Sequence, residues 1–250
     1  YFDGQTEQLT IVSPVNDPHG LVTDHEDVYW IDYDPVGQPT IMRRLAGESE
    51  NEVVYPYTDS DTQLTRPIDM VLISSDEQGT RLAVLDAEDG QTWNVLITPT
   101  ANIISPLGPA RYAAGTDRHH PSYLAYDQGT LYLLDTGLDR FEDTPARVAS
   151  LPIDGGSWTT LYQGSLVEDA RGITVAGDTL YYSRGQWVYH LPTNGAVPAQ
   201  VVSDPRFGNL GNLSVSDGTL HVLDKTAREQ AASWQITLDS SIVVTPTTRG

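Results

Sequence analysis

Among its 250 residues the chain has no cysteine, 2 methionines, 3 phenylalanines and a single lysine, Lys225. Without cysteine, disulfides, thiolate-held metals and cysteine nucleophiles are excluded. Positive charge is scarce: 14 basic residues stand against 34 acidic ones, a net charge of -20 spread along the chain. Such a surface argues against nucleic-acid backbones and anionic membranes as partners. No apolar run approaches the roughly 18 to 20 residues of a spanning helix, so direct membrane insertion is not expected. The N-terminus lacks the basic-then-apolar pattern of a leader, and the chain opens mid-pattern at Tyr1. A processed or excised fragment is therefore expected, of extracytoplasmic origin (periplasmic, secreted or cell-surface). There is no GxSxG elbow, HExxH helix or phosphate-cradling GxxxxGK[ST], and GNLGNL at Gly208 is too weak to read as a nucleotide loop. No cofactor is expected.

What is present is a repeat. Turn-plus-strand phrases recur as DQGTLYLLD at Asp127, GDTLYYSR at Gly177 and DGTLHVLD at Asp217. The apolar residues opening these strands and their cognates are Val28, Leu82, Leu131, Leu180 and Leu220, spaced by 54, 49, 49 and 40 residues. An apolar stretch precedes each anchor (LVTD, MVLIS, YLAYD, GITVAG, LSVSD), and one or two further strands follow it. Gly, Asp, Asn and Pro clusters separate them, and no sustained helical period occurs. A unit of about 40 to 50 residues with four strands is the size of a propeller blade. The fold expected is thus all-β, a single five-bladed β-propeller domain with four-stranded antiparallel blades, covering approximately 16–60, 67–108, 120–164, 170–204 and 210–247. QLTIVSP, residues 8–14, is expected to add to the last blade as a closing strand, because closure removes exposed edges.

VYWID followed by PTIMRRLAG, and LYLLD followed by ARVASLPIDGG, resemble the YWTD-type repeat of β-propellers and its bacterial relatives. The likeness covers about four of the five repeats; it fails at TLYYSR, where Arg184 stands in place of the strand-end Asp. Relatives in that family are mostly binding or scaffold modules and some are lyases or lactonases, so the resemblance implies fold more than activity.

The strand-end acids Asp32, Asp86, Asp135 and Asp224 recur with the blade, and each is expected to close the turn between second and third strands. A functional group, by contrast, should break the repeat. Metal is not expected, the weak candidates being Asp135, Asp139 and Asp143 in the longest loop within a blade; DSD at Asp59 and DAEDG at Asp86 also lack a calcium ligand pattern. NLS at Asn212 reads as a chance glycosylation acceptor. Glycoside hydrolase or lyase chemistry in a central funnel is the alternative function; it needs facing carboxylates, and only Asp17, Asp69, Glu168 and Asp169 lie near the channel entrance. The residues that do vary from copy to copy lie in the loops entering each first strand: His19, Arg66, His120, Arg171 and Asn212. There they would form a ligand-binding channel mouth for an anionic group, weakening as histidine loses its charge near pH 6.5. The expected function is a non-enzymatic binding or scaffold domain recognising a protein or small-molecule ligand at one face.

Overall fold

The computed structural model describes residues 18–24, 27–48, 50–55, 64–87, 92–98, 102–107, 121–137, 145–224, 233–238 and 243–246. The chain is a five-bladed β-propeller built from five four-stranded antiparallel sheets, with one 3-10 turn (Ser165–Val167) among the described residues. Blade 1 comprises β1 (His19–Asp24), β2 (Asp27–Tyr33), β3 (Pro39–Arg44) and β4 (Glu52–Tyr55). Blade 2 has β5 (Pro67–Asp76), β6 (Gly79–Asp86), β7 (Thr92–Ile97) and β8 (Asn102–Pro106). Blade 3 has β9 (Pro121–Asp127), β10 (Thr130–Asp135), β11 (Arg147–Pro152) and β12 (Thr159–Gln163). Blade 4 has β13 (Ile173–Ala176), β14 (Thr179–Arg184), β15 (Trp187–Pro192) and β16 (Ala199–Ser203). Blade 5 has β17 (Leu210–Ser216), β18 (Thr219–Asp224), β19 (Ser233–Thr237) and β20 (Val243–Pro246). Within every sheet the strands lie in chain order. Blade 5 therefore supplies its own fourth strand, and residues 8–14 lie outside the described residues.

Two compact units divide the chain: Tyr1–Ala114, with blades 1 and 2, and Gly115–Gly250, with blades 3 to 5. In the first, β1 packs on β5; in the second, β13 touches both β9 and β17. First strands of successive blades are thus the inner ones within each unit.

The repeated phrase is the hairpin joining first and second strands. In blades 3 and 5 it closes through Gln128-Gly129 and Asp217-Gly218, all four residues at positive φ. Two-residue turns of this hand match the twist of the strands they join. The second strand that follows is buried on both faces in β6 and β10, whereas β14 and β18 keep part of the period-two alternation. In β14, Leu180 and Tyr182 join a core with Leu134, Val148 and Ile173 of the blade 3 side and blade 4 inner strand. Tyr181 packs on the opposite face, against the core of Phe207, Leu220, Val222 and Trp234. In the first unit, Ile31, Ile41, Leu82, Val84 and Val95 are fully buried between blades 1 and 2. Each such side chain contributes about 1.5–3 kcal/mol relative to exposure. No helix of the described residues is long and apolar enough to cross a membrane.

Candidate ligand-binding site at the inner-strand entries

Every blade gains one extra residue where the chain enters its inner strand. The register slips between His19 and Leu21, between Pro67 and Asp69, between Pro121 and Tyr123, and between Leu210 and Leu213. In blade 4, Ile173 pairs with Tyr182, yet the Arg171 N–H bonds the Ser183 carbonyl at 2.9 Å, so two steps on β13 match one on β14. A bulge bends the strand and re-aims its side chains, and such features gather beside functional sites.

Behind each bulge sits the residue that ends the second strand. The Asp86 carboxylate accepts the backbone N–H groups of Thr65 and Arg66 and the Thr65 hydroxyl at 2.5 to 3.1 Å. Asp224 likewise accepts from Gly208 N–H (2.8 Å), Asn209 N–H (3.1 Å) and the Trp234 indole (3.3 Å). These two carboxylates tie down the loop entering the inner strand, not the turn between second and third strands as the sequence led us to expect. Cross-strand pairing is the reason: Asp86 lies opposite Pro67 and Asp224 opposite Leu210, so each side chain faces the entry loop. Asp135 does hold the expected turn, through Gly137 N–H at 3.1 Å, and Asp32 accepts Tyr33 N–H at 3.1 Å. A buried carboxylate is tolerated where such charge-assisted bonds replace its hydration.

Blade 4 inverts this latch. Arg184 occupies the strand-end position and its Nε donates to the Glu168 carbonyl of the entry loop at 2.7 Å. A donor side chain needs a backbone acceptor, and the loop supplies one by turning over: Asp169 takes φ 57, the left-handed region that non-glycine residues visit rarely.

The expected site residues fall into separate pairs. In the first unit His19 is half-buried, with its ring edge-to-face on Tyr33 at 5.4 Å, and the Tyr33 hydroxyl donates to the Pro67 carbonyl at 2.6 Å. Arg66, one residue before Pro67, is held by its backbone while its side chain is exposed. In the second unit Arg171 precedes, and Asn212 faces, the glycine at which the inner strands of blades 4 and 5 touch. Gly172 (φ 142) lies there so close to the next strand that a Cβ would fall 2.7 Å from the Asn212 Cα. Only glycine permits that approach. The Ser183 hydroxyl donates to the Gly211 carbonyl at 2.6 Å and fixes the same junction. Arg171 is half-buried and Asn212 exposed, and neither side chain makes a hydrogen bond or ion pair among the described residues. No ion pair joins Arg171 to Asp169 among the described residues.

His120, Asp17, Asp139 and Asp143 lie outside the described residues. Asp135 is fully buried, with Arg147 Nε 3.6 Å from its second oxygen. No group of three or more His, Asp or Glu among the described residues is arranged to hold a metal. Asp69 is half-buried on β5 of the first unit, and Glu168 and Asp169 are exposed in the second. Sequence reasoning missed the Arg184–Glu168 latch and the Ser183–Gly211 bond. The first had a visible signal, the arginine that breaks the repeat; the second had none.

No protein-family model matches the sequence, and no curated protein matches it. Solved structures do. A luciferin-regenerating enzyme superposes with a TM-score of 0.68 at 10% identity, over 94% of this chain and 76% of that one. A puromycin-hydrolysing peptidase of Mycobacterium tuberculosis gives a TM-score of 0.60 at 12% identity, over 93% of this chain and 38% of that chain. At such identities the likeness shows the fold alone, and it agrees with a β-propeller.

Proposed function

We propose that this chain is a non-enzymatic recognition domain, working outside the cytoplasm, that binds a protein or small ligand through its inner-strand entries. One observation carries the reading: in a chain with 34 acidic residues, the half-buried residue Arg171 has no carboxylate partner among the described residues. A cation so placed is ready for an exogenous anionic group, because charge-assisted bonds to it gain strength where water is partly excluded. Asn212 beside it adds an amide donor and an acceptor. In the first unit His19 and Arg66 are variable entry residues of the same kind. The resemblance of VYWID and LYLLD to the YWTD-type repeat, whose members are mostly binding or scaffold modules, is compatible with this role. The spread acid excess suits an exported protein that must stay soluble.

The test is a glycan and small-acid binding panel run beside a panel of chromogenic glycosides. Binding without turnover is the expected result. Turnover that disappears in Asp69→Asn or Glu168→Gln would overturn the recognition reading in favour of a hydrolase.

A further inference from the structure

We propose that the Arg171–Asn212 site takes a carboxylate, and that the replacement of a latch aspartate by Arg184 is what leaves the site open to it. This inference rests on the recognition reading above.

In blades 2 and 5 the second strand ends in a carboxylate whose oxygens are taken by two consecutive N–H groups of the entry loop. A carboxylate at position 184 would stand next to Ser183, whose carbonyl already receives the Arg171 N–H. An internal anion would then stand beside the loop that carries Arg171, and an arriving anion would meet repulsion. Arg184 changes the local charge by two units relative to those blades. Salt screens charges only beyond a Debye length of about 10 Å, so at ordinary ionic strength it leaves an effect between adjacent groups in place. The latch survives with its polarity reversed, on the Glu168 carbonyl, and Arg171 is left without an internal partner among the described residues.

The donor set selects the kind of anion. A planar guanidinium fork matches the two oxygens of a carboxylate, and the Asn212 amide offers one further N–H. A dianion fits less well. Glu168 and Asp169 stand exposed in the same loop, within three residues of Arg171, and the whole chain carries -20. The Nε of the second cation, Arg184, is already engaged by the Glu168 carbonyl, so a second negative charge on the ligand meets both exposed acids with only Arg171 unengaged. A single carboxylate can come from a small organic acid or from a polypeptide C-terminus, and the site chemistry is the same for both.

The experiment is isothermal titration at constant ionic strength into the full chain, with N-acetylglycine, a short peptide bearing a free C-terminus, its C-terminal amide, and inorganic phosphate as probes. N-acetylglycine and the free-acid peptide are expected to bind, with the amide and phosphate at least tenfold weaker. Equal affinity of the two acids identifies a small-acid site, and at least tenfold tighter peptide binding identifies a polypeptide terminus. Arg171→Ala should weaken both acids tenfold or more. Arg184→Asp, which restores the latch of blades 2 and 5, should weaken them about tenfold, whereas Arg184→Lys should keep most of the affinity. Should Arg184→Asp fail to fold, Arg184→Gln removes the charge with a donor retained and is expected to give an intermediate loss. Phosphate binding as tightly as N-acetylglycine, or an Arg184→Asp affinity equal to wild type, overturns this inference while the recognition reading stands. Binding unaffected by Arg171→Ala overturns the site itself.

Discussion

At the end of β18 a single carboxylate, Asp224, accepts two backbone N–H groups and an indole N–H. Replacing it by Ala takes a charged acceptor from three donors, at a cost of about 2–4 kcal/mol in urea unfolding. A loss under about 0.5 kcal/mol would show that water replaces the carboxylate. Tyr182 gives a second residue-scale prediction. Its hydroxyl donates to the Leu166 carbonyl at 3.1 Å, its ring stacks on Tyr189 at 5.3 Å, and burial pushes its phenol well above the usual tyrosine range. A raised native pKa means that the unfolded chain releases this proton first. Tyr182 therefore stabilises fully below about pH 10, and its contribution is lost as pH climbs toward the native value. Alkaline denaturation midpoints should move upward in Tyr182→Phe, which cannot ionise, although the lost hydrogen bond costs about 1 kcal/mol at neutral pH. An unmoved alkaline midpoint would mean that other tyrosines set it. None of these partners was legible in the sequence. The strand-end aspartates were visible as a repeat, but which backbone groups they bind follows from cross-strand pairing, which spacing alone does not give.

At the scale of elements, the hairpins and strand order were the most legible part of the chain. Gly and Asp at fixed offsets before an apolar strand specify a tight turn by local chemistry, so no tertiary information is needed. The bulges were not legible, since one extra residue leaves no mark in an apolar stretch. Gly218 and Gly172 separate the two kinds of information. Both have positive φ, at 71° and 142°, but a Cβ at Gly218 meets open space and one at Gly172 meets the Asn212 backbone. Gly218→Ala is expected to cost about 1 kcal/mol from backbone conformation alone. Gly172→Ala must also part β13 from β17 and should cost at least about 2 kcal/mol more, by analogy with overpacking. Equal losses in thermal unfolding would show that blades 4 and 5 can separate without penalty. For the candidate site, the sequence supplied Arg171 and Asn212 as residues that vary between copies. It did not show that they are neighbours, because their juxtaposition depends on the glycine contact and on the Ser183–Gly211 bond.

For the whole molecule, charge dominates. A net charge of -20 on 250 residues sets up self-repulsion that added salt screens. Raising NaCl from about 0.01 to 0.5 M should therefore raise the melting temperature, and a flat response would mean that the acids are locally neutralised. EDTA should leave it unchanged, since blade stacking holds the fold; a fall of more than about 10 °C would direct attention to Asp135, Asp139 and Asp143. The function rests on a narrower claim, that ligands meet this domain at the junction of β13 and β17. Chemical-shift mapping of 15N-labelled protein, titrated with whichever probes bind in the panel, tests it most directly. The largest shifts are expected on Arg171, Gly172, Gly211 and Asn212, and they vanish in an Arg171→Ala, Asn212→Ala double variant. Shifts confined to the outer strands β12, β16 and β20, or unchanged in the double variant, would contradict it.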